Sequence, residues 1–269
     1  MNTNLLPADP IQRFSNRAED YARYRPGYPR AIVDDLRAEC GLAPESVVAD
    51  IGSGTGLLAQ VFLENGNVVY GVEPNAAMRQ AGERMLKAYP RFRSVAGSAE
   101  ATTLADASVD FVVAGQAFHW FEPKAARTEF TRILRPQGWI AIVWNQRKKD
   151  ATPFHRDYES LLQTYGTDYQ QVTASYPERR QMEGFFGPGA YRHKSFATEQ
   201  KFDFQGLRGR LLSASYSPAQ GHPNHEPMMA GLKKLFDEHA EGGRVRFEYE
   251  THIYYGRLKP DARKDSRLP

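Results

Sequence analysis

Early in the sequence an acidic residue leads directly into three closely spaced glycines, Asp50-Ile51-Gly52-Ser53-Gly54-Thr55-Gly56, and a second acid, Glu73, follows 23 residues after Asp50. Glycine has no Cβ and adopts positive φ without steric cost, so a glycine turn at a strand's end lets main chain approach a ligand closely. The spacing is G-x-G-x-G. The dinucleotide fingerprint is G-x-G-x-x-G with a pyrophosphate on the following helix N-terminus, so the third glycine here comes one residue early. A carboxylate beside the loop suits an ammonium better than a phosphate. Glu73 suits a ribose diol, from which it accepts two hydrogen bonds, and it repels a 2′-phosphate. Taken singly, Asp50 reads as a helix cap and Glu73 as a solvated strand end. Together with the loop they read as a ligand cradle.

A second group of residues offers different chemistry. Gln116-Ala117-Phe118-His119-Trp120-Phe121 follows a strongly apolar run, and a histidine among aromatics at a strand exit is a candidate general base or orienting group in a dry pocket. The competing reading makes the aromatics core and His119 a packing residue. Near the start, Tyr21, Tyr24 and Arg25 are candidates for a lid, with the planar guanidinium suited to a ligand carboxylate. Arg179, Arg180, His155 and His193 form a group of cations that would favour an anionic substrate but read mainly as solvated charge, and His222 with His225 lacks the accompanying ligands of a metal site.

These residues need strands and helices to place them. Short apolar runs at Val47 to Ile51, Val68 to Glu73, Phe92 to Ala96, Val109 to Ala114 and Trp139 to Asn145 predict buried strands. Between them Leu57, Leu58, Val61 and Phe62, then Ala126, Phe130, Ile133 and Leu134, recur at helical spacing. Strand–helix alternation predicts a parallel sheet with helices on both faces. Helices are also expected around Phe14, Ala18, Tyr21 and Ala22, from Ile32 to Cys40, from Phe154 to Tyr165, and from Met228 to Phe236. Alternation from Val245 to Ile253 predicts an edge strand. The expected organisation is an N-terminal helical lid (1–40), a core (41–148), a cap insertion (149–195), a C-terminal part of the core sheet (196–259) and a disordered tail (260–269).

The chain has 269 residues, 41% apolar and 25% charged, with a formal charge of +3, which is ordinary globular usage and too slight a charge for a dedicated phosphate-backbone binder. Its single cysteine, Cys40, excludes an intrachain disulfide and suits a reducing compartment. No run is long and apolar enough to span a bilayer. The expectation is a cytoplasmic protein, monomeric or homodimeric, whose partner is a small molecule rather than nucleic acid, membrane or metal.

Residues 47–145 resemble the class I S-adenosylmethionine-dependent methyltransferases, specifically the group called methyltransferase type 11. That resemblance implies a Rossmann-like α/β fold, with a seven-stranded, mostly parallel sheet, helices on both faces and a small cap. It implies S-adenosylmethionine as cofactor: the loop holds the methionine part, through Asp50, Gly52, Ser53, Gly54 and Gly56, and Glu73 with Pro74 holds the ribose. The segment Gly97-Ser98-Ala99-Glu100 is expected at the adenine, and Gln116, Tyr24 and Arg25 are further expected cofactor contacts. Substrate contacts are expected from Tyr21, Phe118, His119 and Trp120, with His119 as the catalytic base. The stretches Tyr21 to Pro29, Gln116 to Phe121, Leu211 to Pro218 and Tyr254 to Arg257 are similar to those of trans-aconitate methyltransferase-like proteins. The implied activity is methyl transfer to an oxygen or nitrogen of a small molecule. The rivals are a nicotinamide-dependent oxidoreductase, which the glycine spacing and Asp50 disfavour, and a cofactor-binding protein without catalysis.

Overall fold

A computed structural model describes residues 18–174 and 179–258. Its described strands are β1 (Val47–Ile51), β2 (Val68–Val72), β3 (Phe92–Val95), β4 (Val109–Gly115), β5 (Leu134–Arg147), β6 (Tyr191–Phe202) and β7 (Val245–Gly256). They form one seven-stranded sheet in the order β3-β2-β1-β4-β5-β7-β6. β1 to β5 pair in parallel, and β7 runs antiparallel to both β5 and β6.

Alternate residues of each central strand feed opposite layers, as strand geometry requires. Val48, Val113 and Val143 face α2 (Ala31–Cys40) and α3 (Leu57–Glu64), where they pack with Ile32, Leu36, Leu58 and Phe62. Ala49, Val112 and Ile142 face α5 (Pro123–Ile133) and α8 (Arg179–Phe186), packing with Phe130, Ile133, Met182 and Phe185. Burial on both faces explains why these strands are continuous apolar runs rather than alternating ones. The chain order reverses between β1 and β4, so the carboxyl ends of these two strands open a crevice at the topological switch point, where open α/β sheets bind ligands.

A third apolar cluster lies beyond β5. It joins Phe154, Tyr158 and Leu162 of α6 (Pro153–Tyr165), Tyr169 of α7 (Tyr169–Ala174), Leu207 and Leu211 of α9 (Phe204–Leu212), and Leu232 of α10 (His225–His239) to Phe247 and Tyr249 of β7. The cap is therefore made from two separate stretches of chain. This corrects the expected 149–195 insertion: α8 packs in the main core, and β6 runs across the expected boundary at 195. β6 was hidden because its exposed face is charged, with Arg192 and Lys194 bound to Glu39 and Asp35 of α2. β7 is not the edge strand expected from its alternation; β6 takes the edge. Alternation reports one covered face, which an interior strand near a solvent-facing surface shares.

The expected first helix is seen as α1 (Ala18–Tyr24); Phe14 and the 260–269 tail lie outside the described residues. Among the described residues no helix is long and apolar enough to cross a membrane.

Candidate active site

The three glycines after β1 all take left-handed backbone, with φ of +67° at Gly52, +56° at Gly54 and +86° at Gly56. Their surroundings differ. A Cβ on Gly52 would stand 2.6 Å from the Ala117 Cβ, and one on Gly56 would stand 2.5 Å from Leu86 Cδ1, so close packing excludes side chains at both. A Cβ on Gly54 meets only the flexible tip of Met78, at 3.3 Å, and its open side is the cleft. The loop is tied to β2 by Gly52 and Ser53 N–H groups donating to the Val72 carbonyl at 2.8 and 3.1 Å.

Glu73, just past β2, is held from two sides. The Gly54 N–H donates to Oε2 at 2.9 Å, and the Asn75 N–H donates to Oε1 at 2.8 Å. Each oxygen keeps lone-pair capacity for a ligand hydroxyl. Burial raises its carboxyl above the usual range, and the two N–H donors pull it back. Asn75 then caps α4 (Ala76–Met85), its Oδ1 accepting from Ala77 and Met78 N–H groups.

A cleft of about 290 Å³ opens over these groups. Gly52, Gly54, Glu73 and Pro74 form one wall; Ser98, Ala99 and Glu100 form a second; Gln116, Trp120 and Phe121 close the third, with Tyr21 of α1 above. The Ser98–Glu100 turn is anchored from behind by Glu129 of α5. Its Oε1 accepts from the Thr102 N–H at 2.8 Å and from the Thr102 hydroxyl at 2.5 Å, while Arg132 donates to both carboxylate oxygens. The Arg132 and Thr102 hydrogen bonds hold the Glu129 carboxyl down at about 2.

Asp50 lies beneath the loop, 1% exposed, and neither carboxylate oxygen has a hydrogen-bond partner among the described residues. Burial drives its carboxyl up to about 8; the nearby Ala59 N–H eases that cost without completing a bond, and Glu73 adds repulsion. A buried carboxyl left unpaired costs free energy unless a ligand supplies donors.

Residues 49–142 match the family model described as a methyltransferase domain. An uncharacterized methyltransferase-like protein of Schizosaccharomyces pombe is 31% identical over 255 residues, which cover 93% of this chain and 97% of that protein. An uncharacterized methyltransferase of Mycobacterium tuberculosis is 37% identical over 134 residues, covering 50% of this chain and 52% of that protein. In fold, a candidate type II methyltransferase of Anaeromyxobacter dehalogenans superposes with a TM-score of 0.65 at 24% identity, over 88% of this chain and 99% of that one. The chain belongs to the class I S-adenosylmethionine-dependent methyltransferases.

The site fits that family's cofactor on three observations. The orphaned Asp50 carboxyl matches an ammonium, the Gly54 main chain leaves room that a side chain would fill, and Glu73 presents two oxygens at the cleft. Of the residues expected around the cofactor in this methyltransferase, Gly52, Gly54, Glu73, Pro74, Ser98, Ala99, Glu100 and Gln116 line the cleft, and so do Tyr21 and Trp120. Asp50, Ser53 and Gly56 shape it from below rather than lining it.

Five expectations are corrected. Tyr24 does not reach the cleft: its ring packs on α9, where a Cβ at Gly209 would come within 2.1 Å of it. Arg25 is also not among the residues lining the cleft, donating through Nη2 to the Ser213 carbonyl at 2.9 Å and crossing the Tyr21 ring at 4.9 Å. Phe118 is core, edge-on to Phe185 at 4.9 Å. His119 lines neither this cleft nor the cavity beside it; its ring sits between Trp120 and Trp144, its Nδ1 is buried without a partner among the described residues, and burial pushes its pKa down to about 4. His119 thus supports Trp120 instead of touching the cleft. His155, read as solvated, is fully buried and bonds Thr152 and the Glu248 N–H.

Sequence reasoning also missed a second cavity of about 320 Å³, which shares Tyr21 and Gln116 with the cofactor cleft. Gln116, at φ +56°, links the strand ends: the Asn145 N–H donates to its Oε1 at 2.8 Å. Asn145 in turn accepts from the Thr251 hydroxyl at 2.6 Å and donates to the Gly27 carbonyl at 3.1 Å, so the N-terminal segment is bolted to β5 and β7. Arg25, Arg147, Lys149 and Arg210 line the cavity together with Tyr216 and Tyr249.

Proposed function

We propose that this methyltransferase transfers a methyl group from S-adenosylmethionine to an oxygen of a small molecule, with nitrogen as the second choice of acceptor atom. The observation that carries the reading is that the two cavities adjoin, sharing Tyr21 and Gln116 in their linings, one fitted to the cofactor and the other sized for a small substrate. Bound in the cleft, S-adenosylmethionine supplies a methyl group on a sulfonium that an acceptor's lone pair displaces, leaving S-adenosylhomocysteine. The chain's own work is alignment and exclusion of water. Asp50 and Glu73 fix the cofactor's ammonium and ribose, the Glu129-anchored turn forms the second wall, and Trp120 and Phe121 keep one side apolar.

A carboxylate acceptor already bears its lone pair and needs no base, whereas a hydroxyl needs its proton removed. With His119 outside both cavities, a carboxylate or a readily ionised hydroxyl is the better supported acceptor. The similarity to trans-aconitate methyltransferase-like proteins points the same way. The single cysteine supports action in a reducing compartment. The test is incubation with methyl-labelled S-adenosylmethionine and a panel of carboxylated, hydroxylated and amine metabolites, followed by mass spectrometry. Label on an acid or hydroxyl is expected; label only on nucleic acid or protein would refute a small-molecule acceptor.

A further inference from the structure

Within the second cavity two arginines differ sharply in how their charge is met. Arg147 Nη2 bonds Glu159 and also donates to the Tyr169 hydroxyl at 3.2 Å; Lys149 shares the same Glu159 at 3.4 Å. Arg210 is 6% exposed and has no carboxylate partner among the described residues. Its Nε donates to the Tyr249 hydroxyl at 3.2 Å, while Nη1 is buried with no hydrogen-bond partner there. Arg25, on the same cavity, likewise has a buried unpartnered Nε. No carboxylate is among the residues lining the cavity.

A guanidinium does not lose its proton at any working pH, so burial cannot be escaped by neutralisation as it can for lysine. Buried charges are normally paired. Internal pairing is already used up by Arg147 and Lys149, which leaves the free donors of Arg210 for a group brought from outside. The planar fork favours a carboxylate, which accepts two parallel N–H bonds.

We infer that Arg210 anchors a carboxylate of the substrate in the cavity adjoining the cofactor cleft. Arg25 adds positive charge from the bend just after α1, and Tyr216 and Tyr249 add phenol hydroxyls and ring faces, a lining suited to a small organic acid. The inference deepens the proposed transfer and rests on it for the word substrate; the anion site itself stands on Arg210.

Thermal denaturation of the S-adenosylhomocysteine complex tests it at matched ionic strength, using acid and amide pairs: phenylacetate with phenylacetamide, and succinate with succinamide, plus sulfate. At least one acid should raise the midpoint while its amide does not. In Arg210→Met that acid should bind about ten- to a hundredfold more weakly, the size expected for a lost charge-assisted contact, while calorimetry shows S-adenosylhomocysteine affinity unchanged. Arg210→Lys, which keeps the charge but not the fork, should fall between them and covers the case in which the methionine variant fails to fold. Equal shifts from acids and amides, a sulfate shift as large as any acid's, no shift from either acid, or a full acid response in both variants would overturn the assignment. Loss of S-adenosylhomocysteine binding in the wild type, with the acid response intact, would instead overturn the transfer reading and leave the anion site standing.

Discussion

The cofactor cleft takes its decisive groups from one short stretch, Asp50 to Asn75, and they are main-chain N–H groups and carboxylates; the neighbouring cavity takes its groups from α1, β5, α7, α9 and β7, and they are cationic and phenolic side chains. The first region is made by backbone conformation: positive φ at three glycines and a carboxylate clamped by two N–H groups. The second is made by long side chains converging from distant parts of the chain, among them an arginine whose Nη1 is buried without a partner among the described residues. Main chain suits the part of a reaction that stays constant, because its geometry is set by strand and turn. Side chains suit the part that varies with substrate, because they can be exchanged without altering the fold.

That contrast can be attacked at several points. The largest effect is expected from Gly54→Val, which places a β-branched residue at φ +56° with its side chain in the cleft. S-adenosylhomocysteine binding by calorimetry should disappear while a carboxylate response in the second cavity survives; loss of both would mean the two regions are not separable.

Asp50→Asn comes next. It removes the negative partner for an ammonium, so affinity should fall about ten- to a hundredfold. It also has a pH signature. The buried carboxyl sits near 8 against 3.8 in the unfolded chain, so folding holds the proton and the unfolded state gives it up. Ligand-free wild type should therefore lose stability relative to the variant as pH rises from about 4 to about 8 and level off above. Melting curves across that range check it, and a parallel pH course for the two proteins would mean that Asp50 is not held protonated.

Glu129→Gln should cost about 2 kcal/mol at neutral pH by breaking the Arg132 and Thr102 bonds behind the Ser98–Glu100 turn. Because its carboxyl is held down at about 2, that contribution is present above pH 4.5 and fades as pH falls toward 2, so denaturant curves for variant and wild type should converge in acid. The smallest effect belongs to His119→Phe. With its pKa lowered from 6.5 to about 4, the wild type is destabilised as pH drops through that window, and the phenylalanine variant should be spared that loss. Its S-adenosylhomocysteine affinity should not change; a large loss would place His119 closer to the cofactor than its packing indicates.

The same contrast explains what could be read from the sequence. Asp50, the glycines and Glu73 were legible because contiguous residues at one strand end report a local backbone shape. Strands β1, β2, β4 and β5 were legible because burial on both faces writes itself as apolar runs, while β3, at the sheet's edge with Arg93 and Ser94 exposed, showed only its apolar ends. Arg147, Lys149 and Arg210 were not legible, since nothing in a linear pattern says that residues 63 positions apart share a cavity. Glu129 was missed for a related reason: on a helix it looks like one more exposed acid until Thr102 is brought against it. Asn75 carried a signal, an N-cap residue directly before a helix, that local reading can use. His119 was misassigned because one short turn sends neighbours in different directions, Phe118 into the core and Trp120, 39% exposed, to the cleft.

Glu73 and the Gly54 main chain together are proposed as the cofactor's seat. Titration of the full chain with S-adenosylhomocysteine by calorimetry, beside Glu73→Ala and with NADH as the competing ligand, tests it most directly. Saturable one-to-one binding to the wild type, about a hundredfold weakening in the variant from the loss of two charge-assisted hydrogen bonds, and no heat from NADH are expected. Equal affinity in both proteins, or binding of NADH in preference to S-adenosylhomocysteine, would contradict it.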